Sequence, residues 1–525
     1  MMRRRNGASP RVAIIGAGFS GIAAGIKLKQ AGIDRFTIFE KSPNVGGVWW
    51  DNRYPGAEVD TPSVLYSYSF KPWRWSRTHV RQAELLEYLE SAVDEFGLGG
   101  HIQTRCEVES AIWNEERQRY TLILKDGRIE RFDAVISAVG LLSDPRYPDW
   151  PGLEQFAGPK FHTSRWDHTV DLSGKTVAVV GTGSTAAQVV PSIAPVAGKV
   201  TLFQREPGWV MPKGAREFTA TERGAMNSHT AQRIVRTMML MRREKQQYKN
   251  AAWRPGTPEN QAAEAAARGY IDTVFADRPD LREIVTPKYP FGGKRPVLTD
   301  DFYPSLAREN VTVVPRAVTR VTPRGLVDAQ GQEHEIDVLV MSTGFKSEFV
   351  STVEVVGRGG RSLNEVWNGE PQALLGVMTS GFPNFFMMYG PNTNGGAIVT
   401  HLEAQADYVV AAIKLLARGA ASSVEVRDSA SQWFNSIIQQ RLAGASFEGA
   451  NNYYKSSTGR IVTQWTDGAI LYSLLTKLLR RVTWKTANIV PGAGLASEVA
   501  SAARAPEPTG LTSDQAELEQ LYVES

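Results

Sequence analysis

Residues 12–32 read VAIIGAGFSGIAAGIKLKQAG, and residues 177–194 read VAVVGTGSTAAQVVPSIA. Each opens with an apolar run short enough for one buried strand, passes through a glycine-rich turn and continues with the apolar spacing of a helix. In the first, Gly16, Gly18 and Gly21 make GxGxxG. The first glycine permits the tight turn, the second lets a pyrophosphate approach the backbone, and the third lets helix and strand pack closely. Helix N-terminal amides, here around Phe19 and Ser20, receive the phosphates. In the second stretch Gly181, Gly183 and Ala186 make GxGxxA, and Ser184, Thr185 and Gln188 begin the helix. A further apolar strand follows each turn, FTIFE at 36–40 and VTLFQR at 200–205. A unit that occurs twice predicts an α/β chain with two Rossmann-like dinucleotide-binding domains.

The two units end differently. Glu40 lies 40 − 16 = 24 residues after its first glycine, and Arg205 lies 205 − 181 = 24 after its own. A carboxylate at that place hydrogen-bonds a ribose diol, whereas a guanidinium suits a 2′-phosphate through bidentate, charge-assisted bonds. The first unit therefore reads as an FAD site and the second as an NADPH site. Glu206, beside Arg205, is an awkward neighbour for a phosphate dianion.

The 525 residues leave room for two to four domains of roughly 100–200 residues each. With 59 basic against 55 acidic residues, net +4, the charge is too balanced to argue for a nucleic-acid partner or an anionic membrane surface. No stretch approaches the ~20 apolar residues of a membrane span. The opening MMRRRNGASP is not followed by the apolar middle of a signal peptide. The single cysteine, Cys106, rules out an internal disulfide and the paired cysteines of disulfide reductases. HExxH, GxSxG and clustered histidine ligands do not occur, so neither a metal site nor a hydrolase is expected. SGKT at 173–176 ends like a P-loop, but Thr169 stands where its first glycine belongs, and the segment precedes a strand instead of following one. A cytoplasmic enzyme for a small molecule is expected, as a monomer or weak homo-oligomer.

Residues 10–145 hold the first part of the FAD unit and 151–216 the first part of the NADP unit. Residues 217–293 are rich in Ala, Arg, Glu, Gln and Met with few turn signals, and predict an inserted helical layer. Residues 294–380 are assigned to the second part of the NADP unit, with strands near Val311 and Val338. Residues 381–503 are assigned to the second part of the FAD unit, where YGPNTNGG precedes a helix from about Leu402 to Arg418. The polar stretch 504–525 reads as a flexible tail.

Two longer motifs narrow the reading. FAGPKFHTSRWD contains Phe156, Gly158, His162, Trp166 and Asp167, and GGVWWDNRYPGAEVD contains Gly46, Gly47, Val48, Trp49, Tyr54, Pro55, Gly56 and Asp60. The first resembles the fingerprint FxGxxxHxxxW(P/D) of the type I (class B) Baeyer–Villiger flavin monooxygenases, and the second resembles that family's other signature. The resemblance spans residues 10–480. Within it, YYKSSTGRIVTQW at 453–465 is more similar to the 4-hydroxyacetophenone branch than to the cyclohexanone branch. Many relatives carry Trp where this chain has Tyr453. STGF at 342–345 and SAVG at 137–140 are similar to the turns by which the family's chain passes between its two units.

The resemblance implies a reaction: NADPH reduces FAD, dioxygen forms a flavin peroxide, and a ketone substrate leaves as ester or lactone. It also implies roles in YPFGGKRPVLTDDFY, residues 289–303. Lys294 helps to hold the 2′-phosphate, Arg295 sits over the flavin, and Asp60 lies beside Arg295. Arg295 and Asp60 are the expected catalytic pair: a fixed guanidinium stabilises an anionic oxygen without giving up its proton, and a carboxylate orients it. Trp49, Trp50 and Tyr66 offer flat apolar surface to wall the flavin from water. His162 reads either as a pin for the linker or as a packing residue. Two other functions stay open, a heteroatom oxygenase acting on sulfides or amines and a non-catalytic, redox-sensing nucleotide-binding protein.

Overall fold

The computed structural model describes residues 9–450 and 452–488. The tail expected over 504–525 lies outside the described residues. Two five-stranded parallel sheets carry the chain. The first runs in the order Phe385–Met387, Ala134–Ser137, Val12–Ile15, Phe36–Phe39, Ile102–Gln103, and the second in the order Val311–Val314, Lys199–Phe203, Thr176–Val180, Val338–Met341, Lys160–His162. Val12–Ile15 is buried at every position, as both faces of a parallel strand must be when helices cover them. In each sheet the strand that enters the glycine turn is central, and the helix that leaves it (Phe19–Gln30 or Ser184–Ile193) packs back on the sheet.

Close approach explains the glycines at the head of each turn. Gly16 has φ +106°, and a Cβ there would lie 2.5 Å from the Ala138 carbonyl oxygen. Gly181 has φ +125°, and its Cβ would lie 2.2 Å from the Ser342 carbonyl oxygen. Ala138 and Ser342 belong to SAVG and STGF, so each of those segments packs directly on its own glycine turn.

Residues 217–293 contain the helices Ala220–Ala225, His229–Gln247, Pro258–Val274 and Pro279–Val285. The helix expected from Leu402 begins earlier, at Ile398, and ends at Ala417. The stretch taken as 294–380 is divided. Its strand Glu354–Val356 pairs with Val108–Asn114, and Phe349, Val353, Leu363 and Trp367 pack with Ala13, Ile15 and Phe39 of the first sheet. The chain has thus left the second sheet soon after STGF. The period-2 signal of Glu354–Val356 is only three residues long, too short to assign it to a sheet without its partner strand.

His162 ends the edge strand Lys160–His162 and is fully buried. One ring nitrogen, Nε2, lies 3.0 Å from the Gly344 carbonyl oxygen, and Nδ1 accepts from the Ser164 amide at 3.2 Å. That tautomer fastens the STGF turn to the segment entering the second unit, so His162 is both packed and a pin. Burial lowers its pKa to about 4, and it does the same to His79 and His401, also to about 4. An unfolded histidine titrates near 6.5. Between those values the unfolded chain binds protons that the folded chain refuses, so stability is full above pH 6.5 and declines as pH falls toward 4. Thermal melts should show Tm level from pH 7.5 to about 6.5 and falling from there to pH 5, and His162→Gln should lower Tm at pH 7.5 while flattening that slope. A level Tm over this range would contradict three neutral buried imidazoles.

Candidate active site

Both glycine turns open onto one cavity of about 980 Å³. Gly16, Gly18, Phe19, Ser20 and Glu40 line it from the first unit, and Gly183, Ser184, Thr185 and Gln188 from the second. Gly47, Val48, Trp49, Asp60, Tyr66, Lys294 and Arg295 also lie within its wall. Gly21 and Gly181 are not in the wall. A Cβ on Gly21 would meet the Gly16 carbonyl oxygen at 1.9 Å, which makes it the residue that lets helix and strand close up.

The wall suits dinucleotides. The N-caps Gly18 and Gly183 make no side-chain capping bond, so the first amides of both helices remain available to an anion. A Cβ at Gly183 would meet nothing within 4 Å, because the backbone there borders open cavity. Gly18 rests on Gly47: a Cβ on Gly47 would stand 3.0 Å from the Gly18 Cα. That contact explains the glycine pair in GGVWW. Glu40 is buried and accepts from the Ala17 amide at 2.8 Å and the Ser42 amide at 2.8 Å. It therefore shapes the turn as well as facing the cavity.

Aromatic side chains close the first unit's side. Trp49 Nε1 donates to the Tyr66 hydroxyl at 3.3 Å, and the Phe19 ring meets Tyr66 edge-on at 5.1 Å. Burial pushes the Tyr66 phenol up to about 12, so it stays protonated at neutral pH. Trp50 departs from expectation. Its ring lies under the Arg53 guanidinium at 4.3 Å and is not part of the cavity wall. It is the third residue of a short helix, Val48–Asp51, in which adjacent side chains point different ways.

Arg295 and Asp60, 235 residues apart, form a salt bridge inside the cavity. Of the Arg295 side chain 42 % is free, and that surface faces the cavity. Burial alone would raise the Asp60 carboxyl, but Arg295, Arg243 and Lys213 outweigh it and hold the pKa below the usual carboxylate range. Asp60 in turn drives the Arg295 pKa upward, so the guanidinium keeps its proton. Tyr453 lines the cavity and packs on Tyr454, ring centres 4.6 Å apart.

The NADP side shows two differences. Arg205 is exposed and stands outside the cavity wall. Glu206 is bound by Lys294, which lies 88 residues away in sequence. The carboxylate that the sequence sets beside Arg205 is thereby neutralised by Lys294 of the 289–303 loop. Gln188 is occupied as well: its Nε2 donates to the Glu58 carbonyl at 2.8 Å, and its Oε1 accepts from the Tyr54 hydroxyl at 2.9 Å. Its amide ties the second helix to the Asp60 segment.

Sequence reasoning missed Lys213 and Arg243. Lys213 bridges to Glu58 at 3.2 Å. Arg243 comes from the helix His229–Gln247 and lines the cavity. Only the folded helix brings it there, since nothing in its own neighbourhood of charges marks it. Among the described residues no group of His, Cys, Asp or Glu could hold a metal ion, and no helix is long and apolar enough to cross a membrane.

Two glycine turns facing one cavity, with an arginine–carboxylate pair between them, define a two-dinucleotide oxidoreductase. The family model described as pyridine nucleotide-disulphide oxidoreductase matches residues 13–238, although the lone Cys106 leaves no dithiol for disulfide chemistry. A Baeyer–Villiger monooxygenase of Streptomyces coelicolor is 38% identical over 462 residues, 87% of this chain and 88% of that protein. One of Pseudomonas aeruginosa is 36% identical over 489 residues, 89% of each chain. Among solved structures, an oxidized steroid monooxygenase bound to NADP superposes with TM-score 0.82 at 30% identity, over 91% of this chain and 99% of that one. A closed cyclohexanone monooxygenase gives 0.83 at 28% identity, over 92% and 100%. The chain belongs to the Baeyer–Villiger monooxygenase family.

Proposed function

We propose that the protein uses NADPH, FAD and dioxygen to convert a ketone into an ester or lactone, with Arg295 and Asp60 as its catalytic pair. The observation that carries this reading is the Arg295–Asp60 bridge, held within the cavity that both glycine turns line. Bound FAD supplies hydride acceptance from NADPH and the activation of dioxygen. The chain's own residues do the rest. The uncapped helix ends at Gly18 and Gly183 bind the two pyrophosphates. Trp49, Tyr66 and Phe19 keep water from the reacting centre. Arg295 donates to the oxygen on which negative charge develops as the ketone is attacked, and Asp60 fixes the plane of its guanidinium. A solved OTEMO complex with FAD and NADP, 25% identical and of TM-score 0.83, supports the cofactor pair.

Isotope labelling tests the reaction. With NADPH and 18O2, one labelled oxygen should appear in the ester or lactone. Sulfoxide formed without any ester would favour a heteroatom oxygenase, and binding of NADPH without oxidation would favour a silent redox sensor.

Arg205 and Lys294 are proposed to hold the 2′-phosphate from the cavity's rim. Arg205→Ala should raise KM for NADPH one to two orders of magnitude, about 1.5–3 kcal/mol for a charge-assisted contact, with little change for NADH. Glu206→Thr should improve NADPH use, because it frees Lys294 from its ion pair. Equal effects of Arg205→Ala on both cofactors would rule out the phosphate role.

A further inference from the structure

The helix His229–Gln247 carries Arg236 and Arg243 seven residues apart, so they share one face about two turns, or ~10.5 Å, from each other. Arg236 is fully engaged. It donates to the carbonyls of Val64 at 2.7 Å and Ser67 at 2.8 Å and to Thr400 Oγ1 at 3.2 Å. Arg243 has no hydrogen bond or ion pair with any described residue, although it lines the cavity and its Nε is sealed away without an acceptor.

The charges around it do not balance. Lys213 is paired with Glu58 and Arg295 with Asp60, which leaves the Arg243 cation over. The Arg243 Nε is sealed away without an acceptor, and the carboxylate that attracts the guanidinium, Asp60, already carries the Arg295 bridge, so a ligand anion in the cavity would supply the missing partner. The dinucleotide phosphates already have places, at the two helix ends and at Arg205 with Lys294. Apolar rings of Trp253, Phe291, Phe447 and Tyr453 line the same cavity, so space for an organic body exists beside the cation.

We propose that Arg243 recognises a carboxylate on the substrate, and that the enzyme's preferred substrates are ketones bearing a carboxylate group. The carbonyl then lies toward Arg295, and the carboxylate is taken by the planar fork of Arg243. This rests on the monooxygenase reading above.

The test compares keto acids with their own methyl esters, which keep the shape and lose the charge. A panel of aryl and linear members, such as 4-oxo-4-phenylbutanoate and its ester, is assayed for product with the FAD-loaded enzyme. The wild type should favour acid over ester in kcat/KM. Arg243→Met should lower that ratio by about ten- to a hundredfold, and Arg243→Lys should restore part of it. Calorimetry supplies a readout apart from turnover: binding of 4-phenylbutanoate should weaken in Arg243→Met, while binding of 4-phenylbutanamide stays as it was. The inference is overturned if no keto acid outperforms its ester, if the ratio is the same in both enzymes, or if the variant instead raises KM for NADPH with the ratio intact. Esters oxygenated without any preference for acids would sink the inference alone. Failure to oxygenate any ketone would sink the monooxygenase reading with it.

Discussion

Arg295→Ala will still oxidise NADPH but will make almost no ester, releasing hydrogen peroxide instead. Placement of the nicotinamide depends mainly on the two glycine turns and their helix ends, which the substitution leaves in place. Reduction by NADPH should therefore survive, though slowed. Oxygen transfer to the ketone needs a donor aimed at the developing anion, and the Arg295 guanidinium, oriented by Asp60, is that donor. Loss of one such donor costs about 2.7–4 kcal/mol, roughly a hundred- to a thousandfold in rate. Arg295→Lys should rescue little, because a point ammonium lacks the planar fork. Asp60→Ala should show a milder loss of the same kind, since the guanidinium remains but is no longer oriented. NADPH consumption, hydrogen peroxide and ester are quantified in parallel. Ester at close to the wild-type yield from Arg295→Ala would place the catalytic centre elsewhere.

Gly18→Val should yield a folded protein without flavin. The structure separates this glycine from its neighbours in the motif. A Cβ at Gly16 or Gly21 would strike a carbonyl oxygen at 2.5 Å or 1.9 Å, so substitution there damages the fold itself. At Gly18 a Cβ would lie 3.5 Å from the Gly47 Cα, ordinary contact, and φ is −84°. The backbone tolerates a side chain, but the valine methyls project where the pyrophosphate must approach the helix amides. FAD affinity should fall at least about a hundredfold, or ~2.7 kcal/mol, and the purified variant should be colourless. Circular dichroism should match the wild type. A variant that keeps stoichiometric FAD would show that the first turn is not the flavin site.

The sequence alone determined the two glycine units and their strands, because the signals that mark each unit fall within about thirty residues of chain. The strand–turn–helix periodicity, the glycines demanded by positive φ at Gly16 and Gly181, and the matched offsets of Glu40 and Arg205 are local facts. The motifs around Gly47, His162 and Lys294–Arg295 were legible only through their resemblance to a family, since one chain read by itself gives no reason to pair Asp60 with Arg295. Tertiary structure decided the rest. Asp60 and Arg295 are 235 positions apart, Lys294 and Glu206 are 88 apart, and both pairs depend on how loops distant in sequence converge. Adjacent Trp49 and Trp50 look equivalent in sequence, yet one faces the cavity and the other packs beneath Arg53, because successive helical positions diverge in direction. Arg243 shows the limit most plainly: in a helix dense with cations it is one among several, and its meaning comes only from the unpaired place it takes in the cavity wall. Periodicity and turn chemistry act over short spans of chain, whereas charge balance in a cavity depends on every element that surrounds it.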